Sequence, residues 1–310
     1  MLVDAHLDLA YNSILIGRDL ALPAIGTQAV AFPELRAAGV TLVCGTLHAD
    51  PAVAESAERQ ALAQLDLYKR WEDAGEIRIV RTTQDLDCDD GRLGLIVLME
   101  GADPIAHPSE LPLWFDRGVR MVGPAWGRTR YAGGTGEPGE LTEIGLELVT
   151  AMRGLGVILD LSHLDEPAFW QALDLCGTVC ATHVHPRGFL DPLGEIPLNR
   201  HLTDEMFAAI VERDGMVGIT LFNGFLEARP GTRVTLDNQV RTHAEYVARL
   251  VSWDRIGIGS DLDGGFDNTA TPIEIRTAAD LPRLAEIVPA EARHGFLGGN
   301  WLAFFRQALR

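Results

Sequence analysis

Eight short apolar runs, separated by longer segments of helical character, recur along the whole chain and constrain its fold more than any other feature. The predicted strands are residues 2–6, 40–46, 95–99, 119–124, 157–160, 179–181, 216–220 and 256–259. Nearly continuous apolar runs are typical of parallel strands that are buried on both faces. Strands of this kind alternating with helices predict an α/β fold, a closed (β/α)8 TIM barrel, formed as one domain over residues 1–310.

Several helices between these strands have recognisable ends. Asp50 and Pro51 are predicted as the N-cap and first turn of a helix that ends near Gly75. Thr203 is predicted to cap another helix, and a third is expected from Asp165 to residue 177. The stretch 282–309 is expected to be mostly helical, and the irregular segments 128–140 and 188–201 are long enough to be active-site loops.

The composition argues against several functional classes. Lys plus Arg is 26 and Asp plus Glu is 44, and the resulting net charge of −18 argues against a nucleic-acid partner. The longest apolar runs are too short to span a membrane. The N-terminal segment MLVDAHLDLA has acidic residues where a signal peptide has basic and apolar regions, so we expect a cytoplasmic protein. The four cysteines include no C-x-x-C pair and are expected to be free thiols.

Potential metal ligands are concentrated at the predicted strand ends, where the catalytic groups of barrels gather. In the first strand, period-two alternation places the side chains of His6 and Asp8 on the same side. The other strand-end segments are Met99-Glu100-Gly101, Asp160-Leu161-Ser162-His163, Thr182-His183-Val184-His185 and Ser260-Asp261-Leu262-Asp263. One such pattern is often purely structural, but five at the same end of one barrel predict a metal centre.

Imidazole nitrogen and carboxylate oxygen are ligands that zinc prefers. Two metals held close together need a bridging anion, which in many related barrels is a carboxylated lysine. Lys69 is the one lysine of this chain and falls on a predicted helix, away from any strand end. The bridge is therefore expected to be an ordinary carboxylate, for which Glu100 is the candidate, and Asp261 is left free to act as an acid–base residue.

Taken in order, these motifs resemble those of the membrane dipeptidase (renal dipeptidase) family, peptidase family M19 of the amidohydrolase superfamily. Besides the strand-end segments, the resemblance includes Ala5-His6-Leu7-Asp8, Asn199-Arg200-His201-Leu202-Thr203-Asp204, Gly257-Ile258-Gly259-Ser260-Asp261-Leu262-Asp263-Gly264 and Gly298-Gly299-Asn300-Trp301. It covers nearly the whole chain, and the motifs are specific when taken together.

The resemblance implies a site with two Zn²⁺ per chain. His6, Asp8 and Glu100 would hold one zinc, and Glu100, His163 and His183 would hold the other. A hydroxide shared by both metals is the implied nucleophile, because two cations lower the pKa of bound water and polarise the scissile carbonyl.

The same resemblance assigns two residues that do not bind metal. Asp261 would take the proton from the water and pass it to the departing amine. Arg200 would bind the terminal carboxylate of a dipeptide, for which a planar, bidentate donor is well suited.

Three positions depart from the family pattern or leave a choice open. Trp126 stands where the family commonly has a histidine that contacts the substrate carbonyl, and the loss of such a donor can cost about 10²–10³ in rate. Arg128 or Tyr131 could replace that donor. His185 is either a competing ligand or a hydrogen-bond donor to one, and His201 is interpreted as a loop histidine.

Three functions therefore compete. The first is a binuclear zinc dipeptidase that acts on small dipeptides and tolerates a D-residue at the C-terminal position. The second is a dizinc hydrolase of another small amide, ester or lactone, which would accept substrates without a free α-amine or α-carboxylate. The third is a non-catalytic binding protein on the same scaffold, which would bind without turnover. A small-molecule substrate is the expected partner, and a homodimer is allowed but not required.

Overall fold

Eight parallel strands close into a barrel in the computed structural model, which describes residues 1–190, 194–227 and 231–309. The described ranges contain eleven strands, eight of which form the ring: β1 (Leu2–Leu7), β2 (Val40–His48), β3 (Ile77–Ile79), β4 (Leu93–Glu100), β5 (Val119–Gly123), β6 (Ala132–Gly134), β7 (Glu137–Leu141), β8 (Ile158–Asp160), β9 (Val179–Val184), β10 (Met216–Ile219) and β11 (Ile256–Ile258). The ring order is β1-β2-β4-β5-β8-β9-β10-β11, and it closes where Asp4 of β1 pairs with Ile258 of β11. The predicted (β/α)8 barrel is thereby confirmed.

Helices connect the strands of this ring. The α-helices are α1 (Leu9–Leu15), α2 (Phe32–Ala37), α3 (Ala57–Asp73), α4 (Thr83–Leu86), α5 (Leu111–Asp116), α6 (Glu143–Leu155), α7 (Glu166–Leu175), α8 (Asp204–Glu212), α9 (Asn223–Leu226), α10 (Arg241–Val251) and α11 (Asn300–Ala308). Short 3₁₀ turns cover Pro108–Glu110, Arg187–Phe189, Leu198–Arg200, Trp253–Arg255 and Asn268–Ala270, a longer 3₁₀ helix covers Ala278–Ile287, and π-helical turns cover Leu236–Val240 and Gly295–Gly299. None of the helices in the described ranges is long and apolar enough to cross a membrane.

Two apolar cores hold these layers together. The larger one lies between the outer faces of the strands and the surrounding helices. The smaller one includes inward-facing strand residues such as Val3 and Met216, and α11 adds Trp301 and Phe305 to it. The Trp301 indole donates a hydrogen bond to the Ile258 carbonyl at 3.1 Å, so the C-terminal helix is fixed directly to the barrel.

The structure also corrects some sequence-based boundaries. Helix α3 begins at Ala57 after the N-cap Ser56, because the Asp50 carboxylate closes a local turn with the backbone N–H of Ala52 instead of capping a helix. The predicted loop 128–140 contains the antiparallel hairpin β6–β7. The segment 282–309 is mostly helical, as predicted, but it is divided into the end of a 3₁₀ helix, a π-helical turn and a short α-helix. Residues 191–193 of the predicted loop 188–201 lie outside the described residues.

Candidate metal centre

Three imidazoles converge on one carboxylate oxygen at the C-terminal end of the barrel. Glu100 ends β4, and its Oε1 lies 3.3 Å from Nε2 of His6 in β1. The same oxygen lies 3.1 Å from Nε2 of His163 and 3.4 Å from Nε2 of His183. All four side chains are buried. The barrel therefore brings together residues that are far apart in the sequence, because its strand ends meet around one axis.

His163 reaches the centre through an unusual backbone conformation. It follows β8 with a φ of 69°, in the left-handed region that residues other than glycine rarely adopt. Asp160 supports this turn by accepting hydrogen bonds from the Ser162 backbone N–H at 3.1 Å and from the Ser162 hydroxyl at 2.7 Å. A strained conformation that the surrounding structure holds in place is typical of functional sites.

The imidazoles of His6, His163 and His183 each contact a threonine hydroxyl on the side of the ring away from Glu100. His6 Nδ1 lies 3.1 Å and His183 Nδ1 lies 3.0 Å from Thr182 Oγ1. His163 Nδ1 lies 2.9 Å from Thr135 Oγ1. The anchored Nδ1 atoms point outward, so all three Nε2 atoms point into the site.

The donor set fits a divalent metal. Ligand atoms of His6, Glu100 and His183 all lie within 4.8 Å of one another. Nε2 of His6 has no hydrogen-bond partner among the described residues, and Nε2 of His163 lies 2.8 Å from Nε2 of His183. Buried nitrogens that face one another and a carboxylate are poorly satisfied by protein groups alone, whereas a cation between them would satisfy their lone pairs.

Asp8 adds a second carboxylate to the centre. It follows β1, is 9% exposed and accepts a hydrogen bond from the Thr46 hydroxyl. Burial raises the pKa of Asp8, and the nearby negative charge of Glu100 raises it further. A metal cation would offset this repulsion between two buried carboxylates.

Electrostatic interactions within the centre shift the pKa values of Glu100, His6 and His163 in different directions. Burial opposes ionisation of Glu100, but His6 and hydrogen bonds from His163 and His48 outweigh it and hold the pKa of Glu100 well below its usual range. Burial likewise opposes protonation of His6, but Glu100 and the neighbouring aspartates raise its pKa to about 10. Burial and the positive charge of Arg200 lower the pKa of His163 to about 3.

Asp261 lies beside the imidazole cluster in a left-handed conformation with a φ of 58°. Its Oδ1 is 4.0 Å from His6 Nε2, and its backbone N–H donates to the His6 carbonyl at 3.2 Å. Burial raises the pKa of Asp261 well above its usual value, and the carboxylates of Asp8 and Glu100 add to this effect although His6 opposes it. A carboxyl group with a raised pKa can both accept and release a proton near neutral pH.

Asp263 follows two residues later but has a different role. Its carboxylate pairs with Arg18 Nη1 at 2.7 Å and accepts hydrogen bonds from the backbone N–H groups of Ala29 and Val30. The group therefore ties the segment before α2 to the end of β11 and does not enter the cluster.

Arg200 is buried at the edge of the centre with one end of its guanidinium free. Nη2 donates to the His183 carbonyl at 3.0 Å, and the guanidinium carbon lies 4.8 Å from the centre of the Phe225 ring. Nη1 is buried and has no hydrogen-bond partner within the described ranges. This geometry leaves a charged donor available to an anionic group of a ligand.

A cavity of about 320 Å³ joins these polar groups. Asp8, Glu100, His163, His183, Arg200 and Asp261 line it, together with Trp126 and Thr135. One wall is apolar and consists of Phe222, Phe225, Phe266, Ile196 and Pro197. The structure thus brings all seven sequence-predicted site residues to one place, His6 through its contacts with Glu100 and Asp261.

The residues whose roles the sequence left open have different surroundings in the structure. Trp126 borders the cavity, is 45% exposed and has its ring centre 5.3 Å from that of His48. The Tyr131 hydroxyl donates to the Ile105 carbonyl at 2.6 Å and so is not free to bind a substrate. Arg128 lines a neighbouring cavity that Trp126 and Glu100 also border. His185 points away from Glu100, since its Nε2 lies 2.9 Å from the Thr220 carbonyl oxygen.

His48 is a site residue that sequence analysis missed. It ends β2, is buried, and has Nδ1 3.3 Å from Oε2 of Glu100. A histidine directly after an apolar strand was the available sequence signal, but the predicted strand ended two residues too early. The Thr135 and Thr182 anchors were also missed, because no sequence pattern marks the hydrogen bonds of a threonine side chain.

Sequence comparisons identify related proteins along nearly the whole chain. The model of the family described as membrane dipeptidase (peptidase family M19) matches residues 1–309. An uncharacterised Klebsiella pneumoniae protein from the pqqA 5′ region is 31% identical over 249 residues, which is 74% of this chain and 88% of that protein. Mouse dipeptidase 3 is 26% identical over 269 residues, which is 81% of this chain and 52% of that protein.

Solved structures show the same fold. A metallopeptidase of family M19 named dipeptidase AC superposes with a TM-score of 0.86 at 26% identity, covering 99% of this chain and 98% of its own. A Rhodobacter sphaeroides metallopeptidase, liganded with a phosphinate mimic of the dipeptide L-Ala-D-Ala, superposes with a TM-score of 0.85 at 24% identity and covers 99% of both chains.

Proposed function

This chain belongs to the membrane dipeptidase family, peptidase family M19, and from that premise we propose that it hydrolyses small dipeptides with two zinc ions held around Glu100. Family membership makes the protein a metal-dependent hydrolase of the dipeptidase type. The observation that carries the more specific proposal is the convergence of three imidazole nitrogens on one oxygen of Glu100, next to Asp261 and Arg200.

We assign the metal ligands in two groups that share one carboxylate. His6, Asp8 and Glu100 would hold one zinc, and Glu100, His163 and His183 would hold the other. The inward direction of all three Nε2 atoms supports their assignment as ligands. The division between two zinc ions is what the family resemblance implies. Bound zinc would supply water with a lowered pKa and would polarise the scissile carbonyl.

Asp261 is the proposed acid–base residue. Its carboxylate would accept a proton from the attacking water and deliver it to the nitrogen of the departing amine. Two observations support this role. The side chain lines the same cavity as Glu100 and His163, and burial among carboxylates raises its pKa.

Arg200 is the proposed binding residue for the α-carboxylate of the substrate. Its buried Nη1 has no hydrogen-bond partner among the described residues, and Phe225 packs on the guanidinium and orients it. The L-Ala-D-Ala mimic bound by the Rhodobacter sphaeroides relative favours tolerance of a C-terminal D-residue, which we include in the proposal. Residues 1–310 would act as one barrel domain, and a cytoplasmic location and a homodimer stay predictions.

One experiment tests this proposal. The purified protein is analysed for metal by mass spectrometry and assayed on a panel of L-L and L-D dipeptides. We expect about two zinc per chain, turnover of dipeptides, and a fall in kcat of about 10²–10⁴ in Asp261→Asn with zinc retained. A protein that binds no zinc after reconstitution would contradict the metal assignment, and full activity of the variant would contradict the role of Asp261.

The second candidate is a dizinc hydrolase of another small amide, ester or lactone. Trp126 favours it, because an indole borders the cavity at the position where the family pattern has an imidazole. Turnover of N-acylated or lactone substrates without turnover of dipeptides would select this alternative. A non-catalytic binding protein is disfavoured, since it would have no need for a complete set of costly buried charges.

A further inference from the structure

We propose that the hydroxyl of Thr182 is a shared anchor that orients the imidazoles of His6 and His183 and thereby couples the two metal positions. This inference rests on the proposed function, in which these two histidines bind different zinc ions. Thr182 lies in β9 and is completely buried. Its Oγ1 is 3.1 Å from His6 Nδ1 and 3.0 Å from His183 Nδ1, and the two ring centres are 3.6 Å apart.

The directions of these hydrogen bonds follow from a third contact of the same hydroxyl. Thr182 Oγ1 lies 2.5 Å from Oδ2 of Asp160, which accepts the hydroxyl proton. The other oxygen of Asp160 accepts from the backbone N–H of Thr182 at 3.0 Å and from both donors of Ser162. A hydroxyl has one proton and two lone pairs, so with its proton given to Asp160 it can only accept from the two rings.

Both rings must therefore carry a proton on Nδ1. That arrangement leaves Nε2 of each ring to face Glu100 Oε1, at 3.3 Å for His6 and 3.4 Å for His183. A hydrogen bond at the outer nitrogen fixes the tautomer and the ring orientation of a metal-binding histidine. Asp160 and Thr182 are accordingly positioning residues, which act on the metals through His6 and His183.

The backbone around Thr182 leaves this anchor little freedom to move. A Cβ atom added to Gly218 of β10 would lie 1.8 Å from the Thr182 carbonyl oxygen, and one added to Gly259 would lie 1.7 Å from it. Strand β10 and the residue that follows β11 thus approach Thr182 so closely that only glycine fits at these two positions. A rigid backbone holds the hydroxyl at a fixed point between the two rings.

The third imidazole, that of His163, is held by a different hydroxyl and serves as a comparison. His163 Nδ1 is held by Thr135, a separate hydroxyl that contacts neither His6 nor His183. Loss of the Thr182 hydroxyl should therefore weaken both metal positions together, whereas loss of the Thr135 hydroxyl should weaken only the position that His163 serves. Removal of an outer hydrogen bond of this kind typically lowers metal affinity about 10- to 100-fold.

Zinc-loaded wild-type protein and variants, titrated with a chromophoric zinc chelator, give the test. We expect Thr182→Val to lower both zinc affinities about 10- to 100-fold, and Thr182→Ser to restore them because serine keeps the hydroxyl. Thr220→Val is the matched control, since the Thr220 hydroxyl is buried at the end of β10 without a hydrogen-bond partner in the described part of the chain. Weakening of one site alone, or a serine variant as weak as the valine variant, would overturn the proposal.

Proton NMR of the imidazoles gives a readout that does not depend on turnover. In the wild-type protein we expect slowly exchanging Nδ1–H signals from both His6 and His183. Thr182→Val should accelerate exchange at both rings and leave His163 unchanged. If the wild-type protein binds no zinc, the proposed function fails. The Nδ1–H signals of the same sample still test whether Thr182 orients the two rings. Absence of either Nδ1–H signal in the wild-type protein would overturn it, even if the valine variant does not fold.

Discussion

Two clusters of buried histidines lie side by side in this barrel and differ in what surrounds them. The Glu100 cluster consists of His6, His48, His163 and His183, and the His243 cluster consists of His185, His201 and His243. His183 and His185 are separated by one residue at the end of β9, yet each belongs to a different cluster. Sequence position therefore does not distinguish them, whereas the neighbouring groups do.

The His243 cluster is packed like part of the core. His185 Nε2 lies 2.9 Å from the Thr220 carbonyl oxygen, and its Nδ1 lies 2.9 Å from Nδ1 of His243. The ring centre of His201 is 4.8 Å from that of Phe225, in an edge-on arrangement. The polar contacts of His185 thus go to a carbonyl and another imidazole, whereas each imidazole of the Glu100 cluster has a ring nitrogen that faces a carboxylate.

The comparison shows what burial alone does to an imidazole and what a carboxylate adds. Burial lowers the pKa of His243 to about 4, although the Leu226 carbonyl and the charge of Glu227 oppose it. His6 is equally buried, but Glu100 and neighbouring aspartates raise its pKa to about 10. Inward-facing negative charge, and not a group of histidines as such, makes a site for a cation.

The largest effect is expected when the carboxylate of the Glu100 cluster is removed. Glu100→Gln replaces an anion that faces four imidazoles by a neutral amide, so we expect zinc to be lost and dipeptide turnover to fall to the background of the assay. Metal analysis and turnover on the same sample measure this. Circular dichroism checks that the barrel is intact. As a control, the His243→Phe variant, changed in the other cluster, should retain the zinc bound at the Glu100 cluster. If Glu100→Gln still bound two zinc ions per chain, the Glu100 carboxylate would not be what makes one cluster a metal site and the other not.

The fold was predictable because barrel strands have a strong sequence pattern. All eight predicted strands lie within or next to those of the ring, since each is a short apolar run buried on both faces. The hairpin β6–β7 was not predictable in the same way. A Cβ atom on Gly133 would lie 2.2 Å from the Gly139 backbone nitrogen, so close contact requires glycines that break the strand pattern.

The sequence predicted which residues come together in the site, but not the hydrogen bonds and side-chain directions that hold them there. Barrel closure forces the strand ends together, which is why Glu100 and His183 are neighbours despite their separation in sequence. The separation of His183 from His185 depends on the direction of each side chain at the end of β9. The role of Thr182 depends on one rotamer and on a contact with Asp160, and the sequence motifs contain both residues without indicating that they are partners.

An intermediate effect is expected from the acid titration of the His243 cluster. The pKa of His243 in the folded protein is about 4, below the ordinary histidine value of about 6.5 that applies to the unfolded chain. The unfolded chain therefore binds the proton first as the pH falls. Protonation of the unfolded chain at this histidine therefore lowers the free energy of unfolding progressively from about pH 6.5 down to about pH 4, and has little effect at neutral pH. The loss amounts to about 3 kcal/mol at the acid end.

Urea unfolding of wild-type protein and His243→Phe at pH 7, 5.5 and 4.5 measures this contribution. The phenyl ring keeps the stacking on Phe189, whose ring centre is 4.1 Å away, but cannot take up a proton. We expect the stability difference between the two proteins to shift in favour of the variant as the pH falls, because contributions common to both cancel. A difference that does not change with pH would mean that His243 is already accessible to protons in the folded state.

The smallest effect is expected at His201, and it separates the clusters most sharply. Both ring nitrogens of His201 are buried without a hydrogen-bond partner among the described residues, which costs about 1–3 kcal/mol for a polar group. Phenylalanine removes that cost and can keep the edge-on contact with Phe225, although its larger ring offsets part of the gain. For His201→Phe we therefore expect a free energy of unfolding at pH 7 that is unchanged or about 1 kcal/mol higher, with zinc content and KM unchanged. The same replacement of His163 should remove a metal ligand and abolish turnover. A loss of stability above about 2 kcal/mol in His201→Phe would show that these nitrogens have partners, such as bound water, and that the His243 cluster is a hydrogen-bonded network.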